Sequence, residues 1–586
     1  MTPDPSPSPT RLMLPTPGPT TWDVIAQWVA IGLLTTGALI FIVFVVENLL
    51  SSDKKREIKP FYLWIAAIAF FGGLLSFFLP IAINSGFGKN DDGPVLRQFI
   101  LYTTGGVLGV ITLGETHRKN NQEKEKNEND HIRQVHAERR SRYTKAIEQL
   151  ADDKATVRLG GLYTLVGLVD EWLADKSIKE DNDRRKEGQI IINNLCSYIR
   201  APFNLANSHY ILDKDYPTEE EIDEYGREDF IKHKIEFYEE KDIRQTILFE
   251  IKSRLNSGFT EHEDGTKNPL KGPWSVFTYD FSKSFIFYPF NLSGSYFASS
   301  ANFKGAIFIH TFKLSESVFF GESDFSGIHF MFKDYNTPYS HSPDFEGTIF
   351  ENTSKFSGSV FEGTASFKGI RANTRIDFIG CKFKLGSIFS GSKLKDSYFS
   401  TTRFSENYET YPYSGADFTS VNFRGKTNFR GANFYFIADF TNAVFEGDLE
   451  FTNTTFGSYA TFIKTVFKGN IHLAEMTFSE NCKVDFSDSL FNISIYYSWL
   501  SCSPSTFILK NLGIFSYTIK NDKNSESHIR CLPVGARIFD PLSWSDKEKE
   551  YRIISEPTST IDRSFNTLRK IENSDKKQKN VIMVSG

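Results

Sequence analysis

The stretch FRGKTNFRGANF, Phe423 to Phe434, places Gly425, Lys426 and Thr427 in the order that ends a phosphate-binding loop. Such a loop reads G-x-x-x-x-G-K-[ST], because its glycines let successive backbone N–H groups wrap a phosphate while the lysine reaches the outer one. Here Ser420 stands where the first glycine belongs, no strongly apolar strand precedes the turn, and no helical pattern follows it. Arg158, just before Gly160 and Gly161, is a second candidate anion site. A conspicuous glycine in a helix usually has a packing reason, so the expected role is close helix contact, with Arg158 paired to a nearby carboxylate. His310, His329, His341 and His472 are far apart in sequence and are expected at solvent-exposed corners. Cys196, Cys381, Cys482, Cys502 and Cys531 are scattered and odd in number, with no C-x-x-C pair, which suits a reducing compartment better than a disulfide framework or a zinc site. G-x-S-x-G, H-E-x-x-H and G-x-G-x-x-G are all absent. No catalytic, cofactor-binding or metal-ligating residue is therefore assigned, and the chain reads as non-enzymatic.

The elements around GKT carry a different signal. From Phe418 the large apolar residues fall at Phe423, Phe429, Phe434, Phe440, Phe445, Phe451, Phe456, Phe462, Phe467, Leu473 and Phe478, in steps that alternate five and six. A helix has a period near 3.6 and a strand a period of 2, so this rhythm is neither; it marks a solenoid. Small or aliphatic residues stand two positions earlier (Ala416, Val421, Thr427, Ala432), and glycines follow two positions later (Gly425, Gly431, Gly447, Gly469), where they would ease a corner. The rhythm also runs from Phe345 to Leu394, slips by one residue at Phe399 and Phe404, and reaches back in looser copies to Phe281.

The units ADFTS, VNFRG, ANFYF and ADFTN resemble the A-(D/N)-L/F-x-x repeat of the pentapeptide-repeat family, in its phenylalanine-rich eleven-residue version. That resemblance implies an all-β right-handed quadrilateral β-helix over residues 276–493 and makes GKT a corner. It says little about activity, because one fold hosts many functions.

Residues 1–20 are rich in Pro, Ser and Thr and are expected to be disordered. A membrane anchor is expected over 23–114, with apolar segments at 24–46 and 61–83 long enough to span a bilayer and a weaker third at 96–114. Gly105 and Gly109 form a GxxxG pair that could join two copies of the chain. Four basic residues lie in 51–60 against one in 84–94. The positive-inside rule then puts the N-terminus outside a bacterial cell membrane, with everything after residue 115 in the cytoplasm. Residues 115–150 read as a charged linker helix with i,i+4 pairs such as Glu138 with Arg142. Residues 151–257 read as a helical module containing a charged, loop-like stretch at 204–240. Its segment Glu148 to Leu165, with VRLGGLYTL, resembles the helical region that follows three spans in one group of bacterial pentapeptide-repeat membrane proteins. After the repeat, 494–543 is expected to cap the solenoid and 544–586 to be a flexible tail.

Two functions fit this multi-domain plan of helical anchor, helical module and β-helix. One is a membrane-anchored scaffold or sensor whose β-helix binds a protein, with no nucleic acid as partner. The other comes from the resemblance: some soluble pentapeptide-repeat proteins mimic DNA and bind DNA gyrase. A DNA mimic needs a strongly anionic rod, since duplex DNA carries one charge per about 1.7 Å. Residues 276–493 hold 22 acidic against 19 basic residues, which favours the scaffold.

Overall fold

The computed structural model describes residues 20–50, 60–83, 92–261, 267–331, 342–406, 415–473, 476–492, 512–521, 524–533, 535–552, 554–555 and 557. They divide into two compact units, Met1–Ala137 and Glu138–Gly586. The expectations for residues 1–19, for the loops around 51–59 and 84–91, and for 558–586 lie outside the described residues.

The first unit consists of helix α1 (Thr21–Leu50), helix α2 (Pro60–Ala82) and the leading part of α3 (Gly93–Leu150). All three helices are long and apolar enough to cross a membrane. Gln27 Nε2 donates to Ala82 O at 2.8 Å, and the Phe41 and Phe71 rings meet edge-on at 4.7 Å. At Gly72 a Cβ would lie 2.2 Å from Thr104 Cγ2, so a larger residue would force α2 and α3 apart. The third apolar segment and the charged stretch after it form one uninterrupted helix.

In the second unit the end of α3 is followed by α4 (Ala155–Ala174), α5 (Asp181–Arg200), the short α6 (His209–Leu212) and α7 (Glu219–Tyr225), and the long α8 (Arg227–Leu255). The loop-like reading of 204–240 is thus corrected. Charge density there hides a core stripe, since Phe230 and Phe237 are buried along with Ile243, Ile247 and Ile251 further down α8. Thr218 and Glu221 form a reciprocal capping box that starts α7. Arg142, expected to pair with Glu138, instead reaches across to Glu171 at 2.9 Å.

The helical module closes the first end of a parallel β-solenoid. Phe287 of the first coil packs on Phe203 and Phe237 at centroid distances of 5.5 and 5.0 Å. Arg200 Nη1 reaches Asp280 Oδ2 at 2.5 Å, and Trp274 Nε1 donates to Asp170 Oδ1 at 2.7 Å.

Most strands of the coils are two to three residues long, Arg371–Asp377 and Lys393–Tyr398 run on through a corner, and one of the resulting columns is a continuous 9-stranded sheet. Inward residues pair in register with the coil above, as in Phe423 with Phe445 and Phe434 with Phe456. Their rings therefore stack face to face: Phe418, Phe440 and Phe462 follow one another at 5.0 Å, and Phe423, Phe445 and Phe467 at 4.6 and 5.3 Å. The slip at Phe399 and Phe404 is absorbed by one shorter coil, with Phe378 over Phe399 at 5.1 Å and Phe383 over Phe404 at 5.4 Å.

The repeat's polar letters have physical roles. At the D/N position the side chain accepts the N–H two residues on, as Asp417 does from Thr419, Asn428 from Arg430 and Asp439 from Thr441. This Asx turn leads into a left-handed residue, Ser420, Gly431 and Asn442 respectively. Buried hydroxyls at the next position donate across coils: Ser392 to Phe367 O, Thr454 to Phe429 O and Thr465 to Phe440 O. Past the last regular coil, the strand Arg537–Phe539 pairs in parallel with Leu490–Asn492, inside the segment expected to form the cap. Leu512–Asn521 and Asn524–Pro533 pair with each other as an antiparallel hairpin.

Candidate functional site

The GKT corner is built against phosphate binding. A Cβ at Gly425 would sit 2.4 Å from Asp396 Oδ1 and 2.7 Å from Lys395 O, so the glycine is required by close stacking and not by a phosphate cradle. The backbone N–H of Lys426 donates to Asp396 Oδ1 at 3.0 Å. A carboxylate thus holds the place that an anion would need. Thr427 is buried, and its hydroxyl meets Ser397 Oγ at 3.3 Å. Gly447 and Gly469 continue the column, each with a would-be Cβ at 2.4 Å or less from the glycine carbonyl one coil back. Gly431 belongs to the other corner type, with φ +65°.

Arg158 has the carboxylate partner expected for it. Its Nη1 donates to Glu240 Oε2 at 2.6 Å and to Tyr198 Oη at 3.1 Å, and Tyr198 Oη donates to the same carboxylate at 2.9 Å. Glu240 Oε1 accepts from Arg244 Nε at 2.6 Å, while Arg244 Nη1 and Nη2 bond Ile199 O and Ala201 O. Burial pushes the Tyr198 phenol up to about 12, with Glu240 adding to the shift. Burial works against the Arg158 charge, but Tyr198 and Glu240 leave its pKa raised. Apart from Arg158 Nε, which is buried without a hydrogen-bond partner among the described residues, the donors and acceptors named here face other protein groups, which makes this a structural clamp between α4, α5 and α8. Gly161 serves packing as expected, its would-be Cβ lying 2.6 Å from Ala146 O; Gly160 faces open space.

The histidines divide. His472 is exposed, whereas His310 and His329 are half-buried, which corrects the expectation for those two; His341 lies outside the described residues. His329 Nε2 and Lys384 Nζ both lie 2.9 Å from Glu362 Oε1. Burial opposes the Glu362 charge, but these two hydrogen bonds hold its carboxyl below the usual range. Cys196, Cys381 and Cys482 are free and buried. Cys381 takes a hydroxyl position of the repeat, its Sγ 2.9 Å from Phe356 O. Among the described residues no three His, Cys, Asp or Glu side chains gather as a metal site. Gly105 and Gly109 have nothing within 4 Å of an added Cβ.

The partner of Arg158 could not be read from the sequence, because Glu240 is 82 residues away on a helix whose charges obscured its core face. Asp396 beneath Lys426 was equally hidden, since only the coil register brings them together.

Residues 418–465 match the family model for pentapeptide repeats (9 copies). The coils on both sides keep the same columns of stacked phenylalanine, so the solenoid is a pentapeptide-repeat solenoid. No curated protein and no solved structure matches the chain.

Proposed function

We propose that the chain is a non-enzymatic scaffold, anchored in a bacterial cell membrane by its three apolar helices, whose solenoid and helical module bind a protein partner in the cytoplasm. The observation that carries this reading is the contrast between the two sides of the solenoid wall. Inward positions stay apolar from coil to coil, Phe on this face except for Ala372 and Leu394, whereas the outward ones change character: the face that holds Val318 and Ile349 continues as Arg371, Lys393 and Asn422 and then Val444 and Val466. A filled interior leaves no cleft for a substrate, and a variable, rigid exterior is what recognition of a macromolecule uses. The excess of basic residues in 51–60 over 84–94 supports the cytoplasmic placement. Gly105 and Gly109, open within the chain, would be available to a second copy of the helix. The gyrase-binding alternative is disfavoured by the near balance of charge over 276–493.

Cysteine labelling from outside intact cells tests the orientation: a reporter at Asn90 should react and one at Lys426 should not, and the reverse pattern would overturn it. Photocrosslinking from outward solenoid positions of the full chain in cells tests the scaffold. A defined protein adduct is expected; adducts to nucleic acid alone would sink the reading.

A further inference from the structure

We infer that Lys393, Lys395, Arg424 and Lys426 form a docking surface for a short acidic segment of a protein partner. The inference rests on the scaffold reading and names the chemistry of what it holds.

Charge is unevenly spread along the solenoid. Residues 276–368 hold six basic against nine acidic residues, and 431–493 hold three against eight, but 369–403 hold seven against two. Arg371, Arg375, Lys393 and Lys395 of this stretch lie on two neighbouring strands, and Arg424 and Lys426, from residues 404–430 with three basic and three acidic residues, join them in the next coil, whereas Lys382 and Arg403 belong to another column. Arg371 pairs directly with Lys393, and Gly425 N donates to Lys395 O, which sets Arg424 beside Lys395 in the next coil. Like charges directly opposite each other on one face of a sheet are destabilising. The same column avoids that conflict elsewhere, with Val318 over Ile349 and Val444 over Val466. Lys393, Lys395, Arg424 and Lys426 are all exposed, and none forms an ion pair among the described residues. By contrast Arg375, at the edge of the group, is occupied by Asp377 and lies 4.2 Å over the Tyr398 ring.

The size of the patch selects its occupant. Coils are stacked at about 4.8 Å, so two to three coils span about 10–15 Å, or roughly four extended residues at about 3.3 Å each. Beyond that the wall turns acidic, with Glu351 on one side and Glu446 and Asp448 on the other. A membrane plane or a long nucleic acid would lie over both acidic ends as well as the basic middle, and would be repelled there. A short run of Glu and Asp that stops at the edges of the patch meets four cations, with Asp396 the one carboxylate among them and already bonded to Lys426 N–H.

The test uses the full chain in neutral detergent micelles and a fluorescein-labelled peptide carrying four consecutive acidic residues, read by fluorescence anisotropy. The amide version of the peptide, a 20-nucleotide single-stranded DNA and phosphatidylserine vesicles serve as competing probes. The acidic peptide is expected to bind, more weakly as salt is raised, and the amide version not to. The triple variant K393E/K395E/R424E should weaken binding at least tenfold, while K283E/K304E/K464E, which reverses exposed lysines elsewhere on the solenoid, should leave it unchanged. All these side chains are solvent-exposed, and an unchanged thermal transition certifies the variants. No peptide binding, equal binding by both triple variants, or tighter binding of DNA or vesicles would overturn the inference. The two readings fail separately: a cellular partner crosslinked equally to wild type and K393E/K395E/R424E removes the patch and leaves the scaffold, whereas DNA as the preferred probe removes both.

Discussion

Replacing Phe440 by alanine tests whether the ring columns hold the solenoid together. Phe440 is fully buried and lies parallel to Phe418 and Phe462, each at 5.0 Å. The rings of Phe429, Phe434, Phe445 and Phe451 surround it at 5.7 to 6.1 Å. Truncating a buried Phe costs about 3–5 kcal/mol, the spread reflecting how far the site can collapse. Here it cannot collapse far, because ladder bonds fix the coil spacing: Phe418 N donates to Asp439 O at 2.7 Å and Phe440 N to Thr461 O at 2.8 Å. We therefore expect about 4–5 kcal/mol. Amide exchange of the full chain, read by mass spectrometry on peptides from 415–467, should speed up by roughly a thousandfold at the slowest sites, since about 1.4 kcal/mol is a factor of ten. Lys426→Ala, at an exposed corner, should stay within about 0.5 kcal/mol of wild type. Equal exchange in the two variants would refute the inside and outside assignment.

Gly447→Asn and Gly431→Asn should separate the two corner types. The first forces atoms into the Gly425 carbonyl, with a cost of about 1–3 kcal/mol or more, whereas the second enters a left-handed turn that Asn453 already occupies in the next coil and should be nearly silent in thermal unfolding. Glu240→Ala strands Arg158 and Arg244 without their shared carboxylate and should cost about 3–5 kcal/mol, read as early melting of the helical circular dichroism; an unchanged transition would contradict the clamp. Raising pH should loosen the helical module between about 10 and about 12: Tyr198 keeps its proton there in the folded state, while the unfolded chain has already lost it, so stability is full below the lower value and falls through the window. Tyr198→Phe should flatten that alkaline slope, and an identical slope in the variant would assign it elsewhere.

The solenoid was legible because its signal is periodic and local. A ring every five or six residues states which side of the wall it occupies without reference to distant residues, so the columns of Phe418, Phe440 and Phe462 followed from spacing alone. The roles of Asp417, Asn428 and Asp439 were visible as letters of the repeat but not as Asx turns, since a letter pattern carries no dihedral angles. The glycines were read as one class and are two. Gly431 supplies a positive φ, whereas Gly425, Gly447 and Gly469 supply the absence of a side chain. That distinction depends on what the neighbouring coil places overhead, some 22 residues away. The clamp of Arg158, Glu240 and Arg244 and the helices within 204–240 were lost for a related reason: long-range pairing consumes the very charges that, in sequence, argue for solvent.

The same reasoning says where recognition can reside in such a molecule. Inward positions are fixed by stacking, the D/N positions by turns, the buried hydroxyls by the carbonyl one coil away, and the column glycines by backbone approach. What remains free to vary is one outward side chain per strand and the residues at the corners. A cation there is held by no packing demand, so four of them on adjacent coils, with Lys395 opposite Arg424 and none in an ion pair among the described residues, are not explained by the fold. Their cost falls on the solenoid, and the acidic segment proposed above would supply the benefit.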